Sequence, residues 1–104
     1  MAALQNSADW LHLSHASLWE LQLKHQRGRP LWRKPLAEII EEQCPANDLL
    51  LLAIEPADIY SLSQLPLHHA DPFDRLVISQ AKLRGFSAVT EDGDFSKYGV
   101  PIVW

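Results

Sequence analysis

The apolar run at residues 49–54, Leu-Leu-Leu-Leu-Ala-Ile, is the longest in the chain and does most to limit how it can fold. A strand with one wet face alternates apolar and polar side chains. An unbroken run suits a strand covered on both faces, the usual condition in a parallel sheet. Parallel neighbours need a crossover, usually a helix, and both flanks of the run carry helix signals. Residues 10–14, Trp-Leu-His-Leu-Ser, alternate as a short half-buried strand would. Ser17 and Glu20 have capping-box spacing and open a helix to about His25, ended by Gly28 and Pro30. Pro35 suits the first position of a second helix to about Gln43, with Leu36, Ile39 and Ile40 on one face. Residues 44–48 read as a turn.

Beyond the run, Pro56 begins a third helix to about Leu62, and 66–71 is loop. Asp71 before Pro72 caps a fourth helix to about Arg84, with Phe73, Leu76, Val77 and Ala81 as its apolar stripe and Gly85 as its stop. Residues 86–90 read as a strand and Asp92-Gly93 as a turn. Asp94 is placed to cap a short helical turn through Tyr98, and 101–104 form a last strand. There is no internal repeat and no linker. Strands alternating with helices predict a single α/β domain over residues 1–104 with a parallel sheet.

A length of 104 residues fits one domain. The apolar run is far shorter than the roughly 20 residues that span a bilayer, and no basic-then-apolar leader opens the chain. Cys44 is the only cysteine, so no intrachain disulfide can form. These features predict a soluble, reduced, cytoplasmic protein with no membrane partner. The formal charge of −4 argues against a general nucleic-acid coat, but a nuclease needs carboxylates where it does chemistry.

The charges are unevenly placed. Lys24, Arg27, Arg29, Arg33 and Lys34 fall within one short stretch. They read either as a solvated helix end favoured by its dipole or as a landing strip for phosphates. Seven of the thirteen acids lie from Glu55 onward. In open α/β sheets, ligands bind beyond the carboxyl ends of the strands, where Glu20, Asp71, Asp74 and Asp92 could meet. Each also has a local job, Glu20 in a capping box, Asp71 and Asp74 in a helix first turn, and Asp92 in an Asp-Gly turn. If several converge, oxygen-only donors favour Mg²⁺ or Mn²⁺. His68 and His69 are adjacent, face different directions, and make a poor zinc pair.

Ser14-x-x-Ser17-x-Trp19-Glu20, then Leu65-Pro-Leu-His-His-Ala-Asp-Pro-Phe-Asp-Arg-Leu76 with Ile78-x-Gln80-Ala81, then Val89-Thr-Glu-Asp92-x-Asp94-Phe95 resemble, in order, the motifs of the PIN-domain family, in particular VapC-like toxins of bacterial toxin–antitoxin pairs. The resemblance implies a PIN-like three-layer α/β fold and a Mg²⁺- or Mn²⁺-dependent endoribonuclease, with RNA as substrate and a cognate antitoxin protein as partner. By motif, Glu20, Asp74 and Asp92 would be the catalytic, metal-binding acids, with Asp94, Asp71 and Thr90 accessory. His69, Arg75 and Lys24 would approach substrate phosphate.

One departure stands out. Family members begin with a buried strand ending in a metal-binding Asp, whereas residues 1–9 here read as no strand and Asp9 precedes the first one. The expectation is an N-terminally truncated PIN domain, short of one strand–helix unit, whose empty central position leaves strand edges unpaired and favours a homodimer. Beside the ribonuclease stands a second reading, a non-catalytic remnant that binds an antitoxin or oligomerises.

Overall fold

The computed structural model describes residues 2–27, 33–67 and 71–103. The chain enters through a hairpin. The Asn6 side-chain oxygen accepts hydrogen bonds from the backbone N–H groups of Ala8 (3.1 Å) and Trp10 (2.8 Å). Asp9 takes φ 63°, a left-handed conformation that Asp adopts more readily than most residues. The turn lays β1 (Ala3–Gln5) antiparallel to β2 (Leu11–Ser14), with Leu4 opposite His12. On its other side β1 pairs antiparallel with β4 (Ser87–Val89), Leu4 opposite Ala88.

This corrects two expectations at once. Residues 1–9 do contain a strand, and it occupies the central position that the sequence reading left empty. Ala-Leu-Gln has little strand preference of its own. It is extended because it satisfies the backbone groups of two neighbours that would otherwise be buried unpaired. The reason for expecting exchange between copies, a gap in the sheet, falls with it. The sheet is also not purely parallel. β2 pairs parallel with β3 (Leu49–Leu52), and β4 parallel with β5 (Ile102–Val103). The described strands form one mixed sheet in the order β3-β2-β1-β4-β5, with β1 running against the rest.

The apolar run is not buried on both faces. β3 lies at the rim of the sheet, with Leu50 and Leu51 exposed. Apolarity measures how well a strand tolerates burial, and the strand order decides how much burial it receives.

The helices flank the sheet. α1 (His15–Gln26) starts three residues early, because β2 runs straight into it. Ser14, not Ser17, is the cap, its hydroxyl accepting from the Ala16 N–H at 3.0 Å. Ser17 is buried and donates to the Ala2 carbonyl at 3.3 Å. The stop expected at Gly28 and Pro30 lies outside the described residues. α2 (Leu36–Ala46) absorbs most of the expected turn and carries Pro45 in its last turn. The Asn47 side-chain amide donates to the Gln43 carbonyl at 2.9 Å and closes it. α3 (Pro56–Tyr60) continues into a 3-10 helix, Ser61–Gln64.

α4 (Pro72–Arg84) is as expected. Asp71 accepts from the N–H groups of Phe73 (2.9 Å) and Asp74 (3.2 Å), and Gly85 ends the helix at φ 67°. Residues 77–81 of α4 are all buried, more than a single stripe would require. Val77 and Ile78 join Leu4, Ala16, Ala88 and Phe95 in the core.

α3 and α4 are tied by a buried ion pair. Asp58 is fully buried, and Arg84 reaches both its oxygens, at 2.6 and 3.1 Å. The Glu55 N–H (2.8 Å) and the Gln80 amide (3.3 Å) also donate to this carboxylate. Burial pushes the Asp58 carboxyl up. The hydrogen bonds from Arg84, Glu55 and Gln80, with the Arg84 charge, outweigh burial and hold it below its ordinary 3.8.

Arg84→Met should therefore lower stability by about 3 kcal/mol at neutral pH in urea unfolding, the low end for breaking a buried pair, because the Arg84 side chain keeps 23% of its surface in water. A depressed carboxyl contributes stability that is complete above its unfolded value and is lost as pH falls through the folded one. The gap between Arg84→Met and the parent should accordingly narrow below about pH 4, taking the unfolded carboxyl at its ordinary 3.8.

Candidate functional site

Because β2 and β4 run the same way, their carboxyl ends, at Ser14 and Val89, emerge on one edge of the sheet. β1 lies between them in the opposite sense, so its first residues reach this edge. What it delivers there is Ala2, buried and bonded through its carbonyl to Ser17. Three further elements adjoin the edge with one candidate acid each: α1 with Glu20, the first turn of α4 with Asp74, and the turn after β4 with Asp92.

Two contacts knit these elements together. The Trp19 and Phe73 rings meet edge to face, centroids 4.9 Å apart and planes at 89°. That contact joins α1 to α4 one residue away from Glu20 on one side and from Asp74 on the other. Arg75 Nη1 donates to the Tyr98 hydroxyl at 3.3 Å. Tyr98 closes the 3-10 helix Gly93–Tyr98, whose cap is Asp92 and not the expected Asp94, which falls inside the first turn. Elements far apart in sequence, each bearing one candidate acid, are thus brought into contact. Neither contact was foreseen. Phe73 reads as a stripe residue and Trp19 as part of a motif, and no spacing rule links two different helices.

Each acid has a defined setting. The Glu20 side chain is 14% exposed and lies 3.6 Å from Lys24 Nζ, one helical turn on. Asp74 is half-buried in the α4 first turn, where its N–H is held by Asp71. Asp92 accepts from the Asp94 N–H at 2.9 Å, while its own N–H donates to the buried Thr90 hydroxyl at 3.0 Å. Asp94 pairs with Lys97 at 2.8 Å. The hydrogen bond and charge of Asp94, with a smaller contribution from Asp92, push the Lys97 ammonium up, so this cation sits in the field of both acids.

Arg75, expected to approach substrate phosphate, has structural partners. Its guanidinium donates to the carbonyls of Pro66 (3.0 Å), Leu62 and Leu65 (both 3.4 Å) as well as to Tyr98. It ties the segment after α3 to the start of α4. His69 lies outside the described residues.

Donor chemistry at the edge suits a hard divalent ion, since every candidate ligand is a carboxylate. Among the described residues, however, no three of His, Cys, Asp or Glu are grouped closely enough to enclose a metal ion. Mg²⁺ commonly takes only one or two protein carboxylates, the rest of its shell coming from water and substrate phosphate. The donors fit an ion completed by its substrate better than one held in a protein cage.

An α/β domain with a mixed five-stranded sheet, flanking helices and carboxylates at the carboxyl ends of its parallel strands is the architecture to be placed. The sequence model of the PIN domain matches residues 1–101, and the chain belongs to the PIN domain family. PIN domains are nucleases, often VapC toxins, and generally use divalent metals. Among curated proteins none matches this chain. No helix among the described residues is long and apolar enough to cross a membrane.

The two jobs open to Asp71 can be separated by mutation. Asp71→Ala should lower stability by about 1 kcal/mol through loss of the helix cap. Asp71→Asn should keep both the cap and whatever activity the parent has. Urea unfolding and RNA cleavage of the two variants provide the check.

Proposed function

We propose that this chain is a VapC-type endoribonuclease, the toxin of a toxin–antitoxin pair, acting on RNA in the cytoplasm and silenced by an antitoxin protein. The observation that carries the reading is the arrangement of Glu20, Asp74 and Asp92. They stand on three elements at one carboxyl edge, and Trp19–Phe73 and Arg75–Tyr98 lock those elements together.

In this reading Glu20, Asp74 and Asp92 are the catalytic and metal-binding acids. When bound, Mg²⁺ or Mn²⁺ would acidify a water and steady the charge developing on phosphate. The protein's own part is positioning. Thr90 and the Asp94 N–H orient Asp92, and the cap at Asp71 orients Asp74. Glu20 is held low in water exposure beside Lys24, whose exposed ammonium can meet a phosphate once the strand is bound. Lys97 neutralises part of the Asp92–Asp94 charge while no ion is there. We assign Arg75 the role of holding the α4 start against Tyr98. No side chain is required as a nucleophile.

A second reading has an observation of its own. β1 brings Ala2 rather than a carboxylate to the middle of the edge, and no three of the described acids enclose an ion. A non-catalytic PIN domain that keeps only an antitoxin-binding surface would have these features.

Mn²⁺ titration and cleavage of single-stranded RNA decide between the two. On the ribonuclease reading Mn²⁺ binds weakly to the chain alone and more tightly with RNA present. Cleavage requires the metal and falls at least about a hundredfold in Asp74→Asn and in Asp92→Asn. Cleavage that persists in excess chelator would remove the metal-dependent mechanism. Absence of cleavage with metal present, while an antitoxin peptide still binds, would support the non-catalytic reading.

A further inference from the structure

We infer that Trp19 is a stacking platform for one unpaired base of an RNA strand bound at the carboxylate edge, with the groove between α1 and α2 as the pocket that receives the base. The inference rests on the ribonuclease reading above, and it adds a base-binding subsite to it.

Trp19 is 54% exposed although it is the largest kind of side chain. Its ring packs edge to face against Phe73. Beside it opens a groove of about 610 Å³. One wall is a single face of α1, with His15, Leu18, Trp19 and Gln22 at helical spacing, and the opposite wall includes Ile40 and Glu41 of α2. An exposed indole packed on a second ring, with apolar walls and a few polar groups at the rim, matches what a nucleobase needs. Its faces stack on aromatic rings, and its edges meet hydrogen-bonding side chains.

Position selects RNA over a protein helix as the occupant. Trp19 is the residue before Glu20, and its ring rests on Phe73, which lies between Asp71 and Asp74. A strand whose phosphate reaches those acids has the indole within reach of its neighbouring base. Charge sets its path. Lys24 lies further along α1 and Arg27 just past its end, whereas Glu41 stands on the α2 wall, where it would repel phosphate but can accept from a base amino group. Backbone on the α1 side and base in the groove is the arrangement these charges favour.

The test measures binding of a short single-stranded RNA by fluorescence anisotropy in an Asp92→Asn background, with Mg²⁺ present. Trp19→Ala and Trp19→Leu should each weaken binding by about tenfold or more, the usual cost of losing one base–aromatic stack. Trp19→Phe should weaken it less. Far-UV circular dichroism and thermal melting confirm that each variant is folded, and Trp19→Phe carries the comparison if Trp19→Ala is not. An RNA with an abasic site opposite the indole should bind weakly to the parent and lose nothing further in Trp19→Ala. Unchanged affinity in both Trp19→Ala and Trp19→Leu overturns the inference. So does an equal loss on intact and abasic RNA, or a change in sedimentation mass with no change in RNA affinity, which would make the groove a protein contact. Failure of the ribonuclease reading looks different. The Asp92-containing parent would then not cleave RNA with metal present, while Trp19-dependent binding of intact RNA could still stand. If the parent binds no RNA at all, both fall.

Discussion

Leu4, fully buried between His12 and Ala88, marks the constraint on which the rest of the domain depends. Three residues around it join two pairs of parallel strands into one sheet. Without β1, the inner edges of β2 and β4 would present unpaired backbone groups beneath the helices. With it, those groups are satisfied and α4 can lay Val77, Ile78 and Ala81 on a continuous surface. The hairpin that makes this possible depends on one side chain, Asn6, holding two backbone N–H groups, and on Asp9 accepting a left-handed backbone.

The direction of β1 carries into the functional edge. A parallel central strand would bring its last residue to the carboxyl ends of β2 and β4, whereas an antiparallel one brings its first. The middle of the edge is therefore closed by Ala2 and Ser17, and the acids stand around it on α1, α4 and the turn after β4. The candidate carboxylates come from the periphery. Trp19 on Phe73 ties α1 to α4, and Arg75 on Tyr98 ties α4 to the turn after β4.

Two kinds of electrostatics operate in this molecule. Asp58 and Arg84 form a bidentate pair between α3 and α4, with the carboxylate buried and further bonded by Glu55 and Gln80, and their work is structural. The edge acids are partly hydrated and partly compensated by Lys24 and Lys97. Such charges can part from their lysines at little cost, because exposed pairs contribute little net stability. A pair like Asp58–Arg84 cannot.

Local signals in the sequence determined the local structure. Asp71-Pro72 and Gly85 bound α4 because capping and a left-handed stop need only neighbouring residues, and the acid-bearing motifs were legible because their spacing is local too. Residues 1–9 offered no such signal, and 49–54 offered a misleading one. Whether Ala-Leu-Gln becomes a strand depends on two partner strands far away in the chain, and whether four leucines are buried depends on where the sheet order puts them. Glu20, Asp74 and Asp92 were candidates from the sequence alone. Their placement around Ala2, the ties through Trp19 and Arg75, and the pairing of Asp58 with Arg84 were decided by tertiary structure, since each is a contact between elements that only packing brings together.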